Sequence, residues 1–180
     1  MNVREEILKE HSLQHALKIA GYPCSSAENF DELMKCFLCN EYRVAQRSAS
    51  SVAHCGKRNS ALLKPYIKDL VAQLSGKDVH NAVIRNSVRI LQDLEIPEEH
   101  HGEIINVCFG FIENPATPIA IKALSVTRLA NMCKLYPEIK QALKVIIEDR
   151  MDFETPAFKS RAKKILTGVE RENKQKGVKN

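Results

Sequence analysis

Tryptophan is absent from the 180-residue chain, and aromatic residues make up only 6% of it. Hydrophobic residues at 44% and charged residues at 27% are ordinary values for a globular protein. Sustained alternation of apolar and polar residues, the pattern of a half-buried β-strand, is also missing. The composition that remains, small aliphatic residues with Lys and Glu, favours an all-helical fold.

Long apolar runs are absent as well. No segment approaches the roughly 20 consecutive apolar residues that a membrane-spanning helix needs. The opening residues, MNVREEILKE, are charged where a signal peptide would be apolar. We therefore expect a cytoplasmic protein without membrane association. The six cysteines mostly lie in apolar helical patterns, so in a reducing compartment we expect them to be small buried hydrophobes.

The net charge of +5 is unevenly distributed along the chain. From Lys159 onward there are eight basic and two acidic residues, whereas residues 1–158 have 19 basic and 20 acidic residues. A Lys-rich end is usually a solvated segment and less often an arm for nucleic acid or membranes. We predict one folded domain over residues 1–168 and a basic, disordered tail over residues 169–180, which has little to bury.

Capping boxes and Thr-Pro pairs mark the predicted helix starts. They are Asn2 with Glu5, Ser25 with Glu28, Thr117 with Pro118 and Thr155 with Pro156. After an N-terminal segment of one or two helices that closes the end of the stack, four helix pairs are predicted. Outer helices are predicted at 27–39, 62–74, 99–113 and from Pro137, and inner helices at 41–55, 78–94, 119–133 and from Pro156. Gly56 is expected to end one helix and Asp78 to cap another.

A basic residue lies near the start of each predicted inner helix. Arg47, Arg85, Lys122 and Arg161 are separated by 38, 37 and 39 residues. A period of about 37 to 40 residues is typical of helical-repeat solenoids. The inner helix at 78–94 also has two apolar stripes, which indicates burial against both its partner and a neighbouring pair. We predict an all-α fold, a right-handed α–α superhelix of about four helix pairs plus an N-terminal capping helix segment.

These features resemble the HEAT and armadillo class of helical repeats over roughly residues 27–168. The HEAT pattern places an acidic residue in the turn six positions before the basic residue of the inner helix. Glu41 precedes Arg47 by six positions, and two of the other basic residues have an acidic residue seven positions before them. Lys122 has none at that distance, so we describe the pattern as HEAT-like.

The second half also resembles a family of short bacterial HEAT-like proteins, in stretches such as EIINVCFGFI, IAIKALSV and PAFKSRAKKIL. Some members carry the label adenylosuccinate lyase, which implies lyase activity as a remote alternative. The S-S-x-M-P-x-K catalytic loop of that enzyme has no counterpart in this sequence. Because no Ser base with partnering His residues is placed for an elimination, we predict no catalytic residues.

Three short motifs could hold a metal, and each has a simpler interpretation. The C-x-x-C at 36–39 lacks a second ligand pair at zinc-finger spacing and lies at the end of a helix. His11 and His15 share a helix face without the Glu of H-E-x-x-H. The pair at 100–101 lies in a turn. We expect the two cysteines to pack, the first histidine pair to lie on the surface and the second to lie in a solvated loop, with no metal or cofactor.

The four repeated basic residues have two interpretations. They tie successive repeats together through turn carboxylates and helix-end carbonyls, or they form a stripe that receives an acidic peptide or phosphates. The predicted binding positions are Lys122, Ser125, Arg128, Arg85 and Arg89, with Ser125 and Arg128 expected on the exposed part of their helix.

Stacked helix pairs give an extended surface, and the sequence offers no catalytic constellation. We therefore predict a non-enzymatic scaffold that binds a protein partner of unknown identity. The alternative is a nucleic-acid-binding protein resembling the HEAT-like DNA-alkylation-repair glycosylases, which cradle DNA with aromatic and basic residues on a concave face. The nearly neutral body and the lack of tryptophan make this alternative the less favoured one.

Overall fold

A computed structural model describes residues 2–39 and 41–177, with side chains through residue 168. Ten α-helices occur in these residues, and none of the described residues forms a strand. The chain divides into two compact units, Met1–Ile96 and Pro97–Asn180, which we call the N-terminal and C-terminal units. None of the helices in the described part of the chain is long and apolar enough to cross a membrane.

The N-terminal unit holds six helices, in which the predicted opening segment is two short helices. They are α1 Val3–Lys9, α2 Leu13–Gly21, α3 Ala27–Leu38, α4 Tyr42–Arg58, α5 Ile67–Ser75 and α6 Asn81–Gln92. The side chain of Asn2 accepts a hydrogen bond from the Glu5 amide, as the predicted capping box requires, and Ser12 caps α2 through the His15 amide.

The cap of α3 lies one residue later than predicted. Ser26, rather than Ser25, accepts the hydrogen bond from the Asn29 amide. Ser25 belongs to a short 3-10 helix, Pro23–Ser25, and its hydroxyl donates to the Tyr22 carbonyl. Because proline fixes its own φ, the chain makes this tight turn first and α3 starts after it.

Two further helix boundaries of the N-terminal unit differ from the predictions. Gly56 does not end α4, which continues to Arg58. A Cβ at Gly56 would clash with Cδ1 of Leu63, so this glycine provides room for a close approach rather than a helix stop. The predicted helix at 62–74 begins as a 3-10 helix, Ser60–Tyr66, because its proline lies in that segment and α5 starts only after it.

The start of α6 is also later than predicted. Asp78 does not cap this helix, because it lies two residues before the cap position and has a φ of 60°, in the left-handed region. The cap is His80, whose Nδ1 accepts a hydrogen bond from the Ala82 amide at 3.1 Å. The predicted helix end near Leu94 lies just beyond the last helical residue, Gln92.

Within the N-terminal unit, the even-numbered helices α2, α4 and α6 pack side by side, while α3 packs on α4 and α5 on α6. Hydrogen bonds join residues one repeat apart: Ser51 Oγ donates to the Ala16 carbonyl at 3.1 Å, and Tyr66 Oη donates to Asp31 at 2.9 Å. Both bonds span 35 residues, slightly less than the period of about 37 to 40 residues predicted from the sequence.

The C-terminal unit holds four helices. They are α7 His101–Glu113, α8 Ile119–Met132, α9 Ile139–Arg150 and α10 Pro156–Gly177. Thr155 accepts a hydrogen bond from the Phe158 amide at 3.4 Å, so the predicted Thr-Pro cap of α10 is confirmed. The prediction that Thr117 caps α8 is wrong, because Pro118 occupies the cap position and no side chain caps the helix.

The backbone of α10 continues past Gly168, the predicted end of the domain, to Gly177. The predicted disordered tail falls on residues 169–180, whose side chains lie outside the described residues. The domain boundary at residue 168 and the disorder of the tail therefore stay predictions.

The prediction that the cysteines are buried hydrophobes agrees with the structure for Cys36, Cys108 and Cys133. It is wrong for Cys24 and Cys55, which form a disulfide with Cα atoms 5.4 Å apart. This bond joins the 3-10 turn before α3 to the second half of α4. Sequence spacing could not show it, because the two residues are 31 positions apart.

The fold class is confirmed by these elements. Each described pair has an outer and an inner helix, and in the first three pairs the inner helix carries most of the buried residues. The fold is all-α, built from four helix pairs after two short N-terminal helices, as expected for a helical-repeat solenoid.

Candidate functional site

Lys122, the basic residue that lacked an acidic partner in its own repeat, has one in the next repeat. Its Nζ lies 2.6 Å from Oε1 of Glu154, in the turn before α10, and both side chains are buried. Arg150, at the end of α9, places Nη2 3.4 Å from the same carboxylate oxygen. Lys122 therefore ties two successive inner helices together through a turn carboxylate.

Arg47 also makes a contact of the structural kind. Its Nη1 donates to the Leu8 carbonyl near the end of α1 at 2.7 Å, a helix-end carbonyl as predicted. Glu41, six positions before Arg47, pairs instead with Arg4 at 2.7 Å. The acidic and basic residues of the repeat thus both bridge helices, but not as one uniform ladder.

Arg85 and Arg161 differ from the other two repeated basic residues. Both side chains are exposed, and neither forms an ion pair in the described part of the chain. Arg89, one turn after Arg85 on α6, is exposed as well. Of the predicted binding positions, Arg85 and Arg89 are therefore the two that a partner can reach.

Ser125 and Arg128 do not lie on an exposed face, so that expectation is wrong. Ser125 is completely buried and Arg128 is only 5% exposed. Among the described residues, Arg128 Nε has no hydrogen-bond partner, and the Ser125 hydroxyl has none besides its interaction with the Cys108 thiol. The apolar stripes of α8 did not reveal this, because a long polar side chain can be covered by neighbouring helices on every side.

The buried environment of Arg128 includes the Cys108 thiol of α7. Burial raises the pKa of Cys108 to about 12, and the Ser125 hydroxyl and the Arg128 charge offset only part of this increase. Burial likewise lowers the pKa of Arg128. A thiol with so high a pKa stays protonated near neutral pH and is a poor nucleophile.

A groove of about 400 Å³ lies in the C-terminal unit beside the Lys122–Glu154 pair. Phe153 and Ile119 line it, with 77% and 41% of their surfaces exposed. The guanidinium of Arg150 lies 5.6 Å from the centre of the Phe153 ring, which orients the ring at the edge of the groove. We call this feature the Phe153 groove. Sequence reasoning missed it because Phe153 lies in a 3-10 turn, Met151–Phe153, outside the helical stripes.

The outer and inner helices of the N-terminal unit differ in charge. The outer helices α1, α3 and α5 contain six acidic and four basic residues. The inner helices α4 and α6 contain six basic residues and no acidic residue. These six define what we call the basic face: Arg43, Arg47, Lys57, Arg58, Arg85 and Arg89. Five of the six are exposed, and Arg47 is half-buried.

Two depressions are lined by residues of α4 and α6, and one of them includes residues of the basic face. One, of about 650 Å³, lies near the starts of α4 and α6, where the ring of Tyr42 stacks on that of His80 with centroids 5.4 Å apart. The other, of about 290 Å³, lies near the ends of the same helices, with Lys57, Arg89 and Asp93 at its rim.

The motifs considered as metal sites have local contacts. The Cys39 thiol donates to the Cys36 carbonyl at 3.1 Å, and Nε2 of His15 lies 2.7 Å from the Glu6 carbonyl oxygen. No group of three or more His, Cys, Asp or Glu side chains is arranged to hold a metal within the described residues.

Stacked helix pairs tied by the Lys122–Glu154 contact define a helical-repeat scaffold protein. A sequence profile of the HEAT repeat domain matches residues 3–169, and the chain belongs to this family. The HEAT-like resemblance predicted from the repeat spacing is thereby confirmed. Comparisons with curated proteins and with solved structures gave no match.

Proposed function

We propose that this protein is a non-enzymatic scaffold that binds a protein partner through the Phe153 groove. The observation that carries the proposal is the pair of exposed apolar side chains, Phe153 and Ile119, which line one groove of about 400 Å³. Aromatic side chains that fit a partner's pocket dominate the binding energy of many protein interfaces. Lys122 and Glu154 also line the groove and form a buried ion pair, and pre-organised surfaces lose less entropy on binding.

Two observations support a non-enzymatic role. The pKa of Cys108 and the pKa of Tyr66 are both raised to about 12, chiefly by burial. Catalytic acids and bases usually have pKa values shifted towards the working pH rather than away from it. The predicted binding residue Lys122 is buried in an ion pair and already has a structural role.

Capture from native lysate with matched variants tests the proposal. The double variant I119S/F153S removes the apolar lining, and L135S/V145S removes two exposed apolar residues outside the groove, which are 61% and 43% exposed. We expect a partner that wild type and the control variant retain and I119S/F153S loses, with unchanged melting temperatures. A partner retained equally by all three proteins, or no reproducible partner, would refute the use of this groove.

The cytoplasm is the proposed compartment. Its test is the state of the Cys24–Cys55 bond in cells, because disulfides are rare in a reducing cytosol. If the protein is cytoplasmic, both cysteines should be thiols in the cell and should be modified by a thiol-alkylating reagent added before lysis. Complete protection of both from alkylation would contradict the proposed localisation.

A further inference from the structure

The N-terminal unit carries a feature that the proposed protein-binding groove does not use. In its inner helices α4 and α6, six basic residues occur without any acidic residue, and the nearest acidic residues along the chain are Glu41, just before α4, and Asp93, just after α6. The nearly neutral charge of residues 1–158 conceals this, because the acidic residues lie on the outer helices, in the turns and in the C-terminal unit.

The cations of α4 lie along one side of the helix. Arg43, Arg47, Ser50, His54 and Lys57 recur at intervals of three or four residues, which is the spacing of one helix face. From Arg43 to Arg58 the stripe is about 22 Å long, at about 1.5 Å per residue. Because α6 packs beside α4, Arg85 and Arg89 broaden this stripe by about the 8–10 Å that separates packed helices.

Helix stability explains only part of this pattern. Lys57 and Arg58 are in the last turn of α4, and Arg89 is in the last turn of α6, where the helix dipole favours cations. Arg43 lies in the first turn of α4, where the dipole disfavours a positive charge. Within the part of the chain that the structure describes, none of these four side chains has an ion-pair partner. Their charge is therefore available to a ligand.

The side chains of the basic face favour one of three anionic partners: an acidic protein, a single strand of nucleic acid or a duplex. The exposed side of α4 and α6 is polar, and its one large exposed apolar residue is Tyr42, whose ring is stacked on His80. A protein partner would need apolar anchors, and a single strand of nucleic acid would need aromatic rings for its bases to stack on. A duplex presents a regular row of phosphates and needs neither.

We infer that the basic face binds the phosphate backbone of duplex DNA without reading its sequence. At about 3.4 Å of axis per phosphate, one strand places roughly six phosphates along a 22 Å stripe, and the face carries six cations. This binding is separate from the Phe153 groove, which is in the other unit. Affinity should be that of non-specific binding, with a Kd of about 1–100 μM at moderate salt.

Fluorescence anisotropy with a labelled duplex of about 20 base pairs, at about 50 mM salt, tests this inference. The full-length variant R85E/R89E reverses two exposed charges of the face, and K64E/K68E reverses two exposed charges on the outer side of the same unit. R85E/R89E should weaken binding at least about tenfold and make the salt dependence shallower by about two contacts. K64E/K68E and I119S/F153S should bind like wild type.

Other outcomes would overturn the inference. The inference would be overturned if wild type did not bind the duplex at low salt. It would also be overturned if R85E/R89E and K64E/K68E lost the same amount of affinity for the duplex. Loss of binding in the full-length variant K174Q/K176Q/K179Q alone would assign the interaction to the basic tail. Equal competition by polyglutamate at matched charge would show that the face accepts acidic protein rather than requiring a duplex.

Discussion

The ammonium group of Lys122 on α8 lies 2.6 Å from a carboxylate oxygen of Glu154, 32 residues further along the chain, and both side chains are buried. This ion pair joins two successive repeats at the level of their inner helices. Removing one member of a buried pair leaves the other charged and buried, whereas removing both removes the desolvation cost as well. The pair is therefore expected to behave non-additively in mutagenesis.

A double-mutant cycle measures this relationship. Lys122→Met should lower the free energy of unfolding by about 3 kcal/mol, because Glu154 keeps only the weaker contact with Arg150. The double variant K122M/E154L should be less destabilised than K122M alone. Urea denaturation gives all the free energies. Strictly additive losses would mean that the two residues act independently.

Tyr66 offers a prediction with a pH dependence. Its hydroxyl donates to Asp31 at 2.9 Å and links α3 to the next repeat. Burial, followed by the bond to Asp31, raises the pKa of Tyr66 from 10.0 to about 12. Because the raised pKa belongs to the folded state, the stabilisation is complete below pH 10 and is lost as the pH rises towards 12.

Tyr66→Phe should therefore lower the free energy of unfolding by about 1 kcal/mol near neutral pH, the size of one net hydrogen bond. The difference between wild type and Y66F should shrink in denaturation experiments above pH 10, where unfolded wild type ionises. Tyr42→Phe, a change at an exposed tyrosine, is the control and should cost little. A Y66F deficit that stays constant up to pH 12 would exclude the hydrogen-bonded tyrosine as its source.

The architecture could be predicted from the sequence because every repeat carries its own signals. The spacing of Arg47, Arg85 and Lys122 gave the period, and caps and prolines placed the helices to within a few residues. The partner of Lys122 could not be found within its own repeat, because Glu154 belongs to the next one. Long-range pairings of this kind depend on how repeats stack, which local patterns do not encode.

The basic face and the Phe153 groove were not predicted from the sequence, for two different reasons. Summing charge over residues 1–158 averaged the acidic outer helices with the basic inner ones, although α4 already contains four basic residues and no acidic one. The signal for the basic face was thus present. Phe153 had no such signal, since an aromatic residue in a short turn between helices is as compatible with burial as with 77% exposure.

The disulfide can be tested by counting thiols. In the denatured, unreduced protein, Cys36, Cys39, Cys108 and Cys133 should react, whereas all six cysteines should react after reduction. Closing a loop of 31 residues restricts the unfolded chain, and the chain-entropy relation puts the stabilisation at about 3–4 kcal/mol. Reduction should lower the melting temperature of wild type and leave C24S unchanged. Six reactive thiols before reduction would show that the bond does not form in solution.

Arg128 provides the last prediction, in which a substitution stabilises the protein. The residue is only 5% exposed, and among the described residues its Nε has no hydrogen-bond partner and no carboxylate pairs with it. An unpaired buried charge is costly, and an apolar side chain of similar length keeps the packing without that cost. Arg128→Met should raise the free energy of unfolding by about 1–2 kcal/mol. The control, Arg85→Met at an exposed position, should change it by less than about 0.5 kcal/mol. Destabilisation by R128M would mean that the packing and remaining hydrogen bonds of Arg128 outweigh the cost of burying its charge.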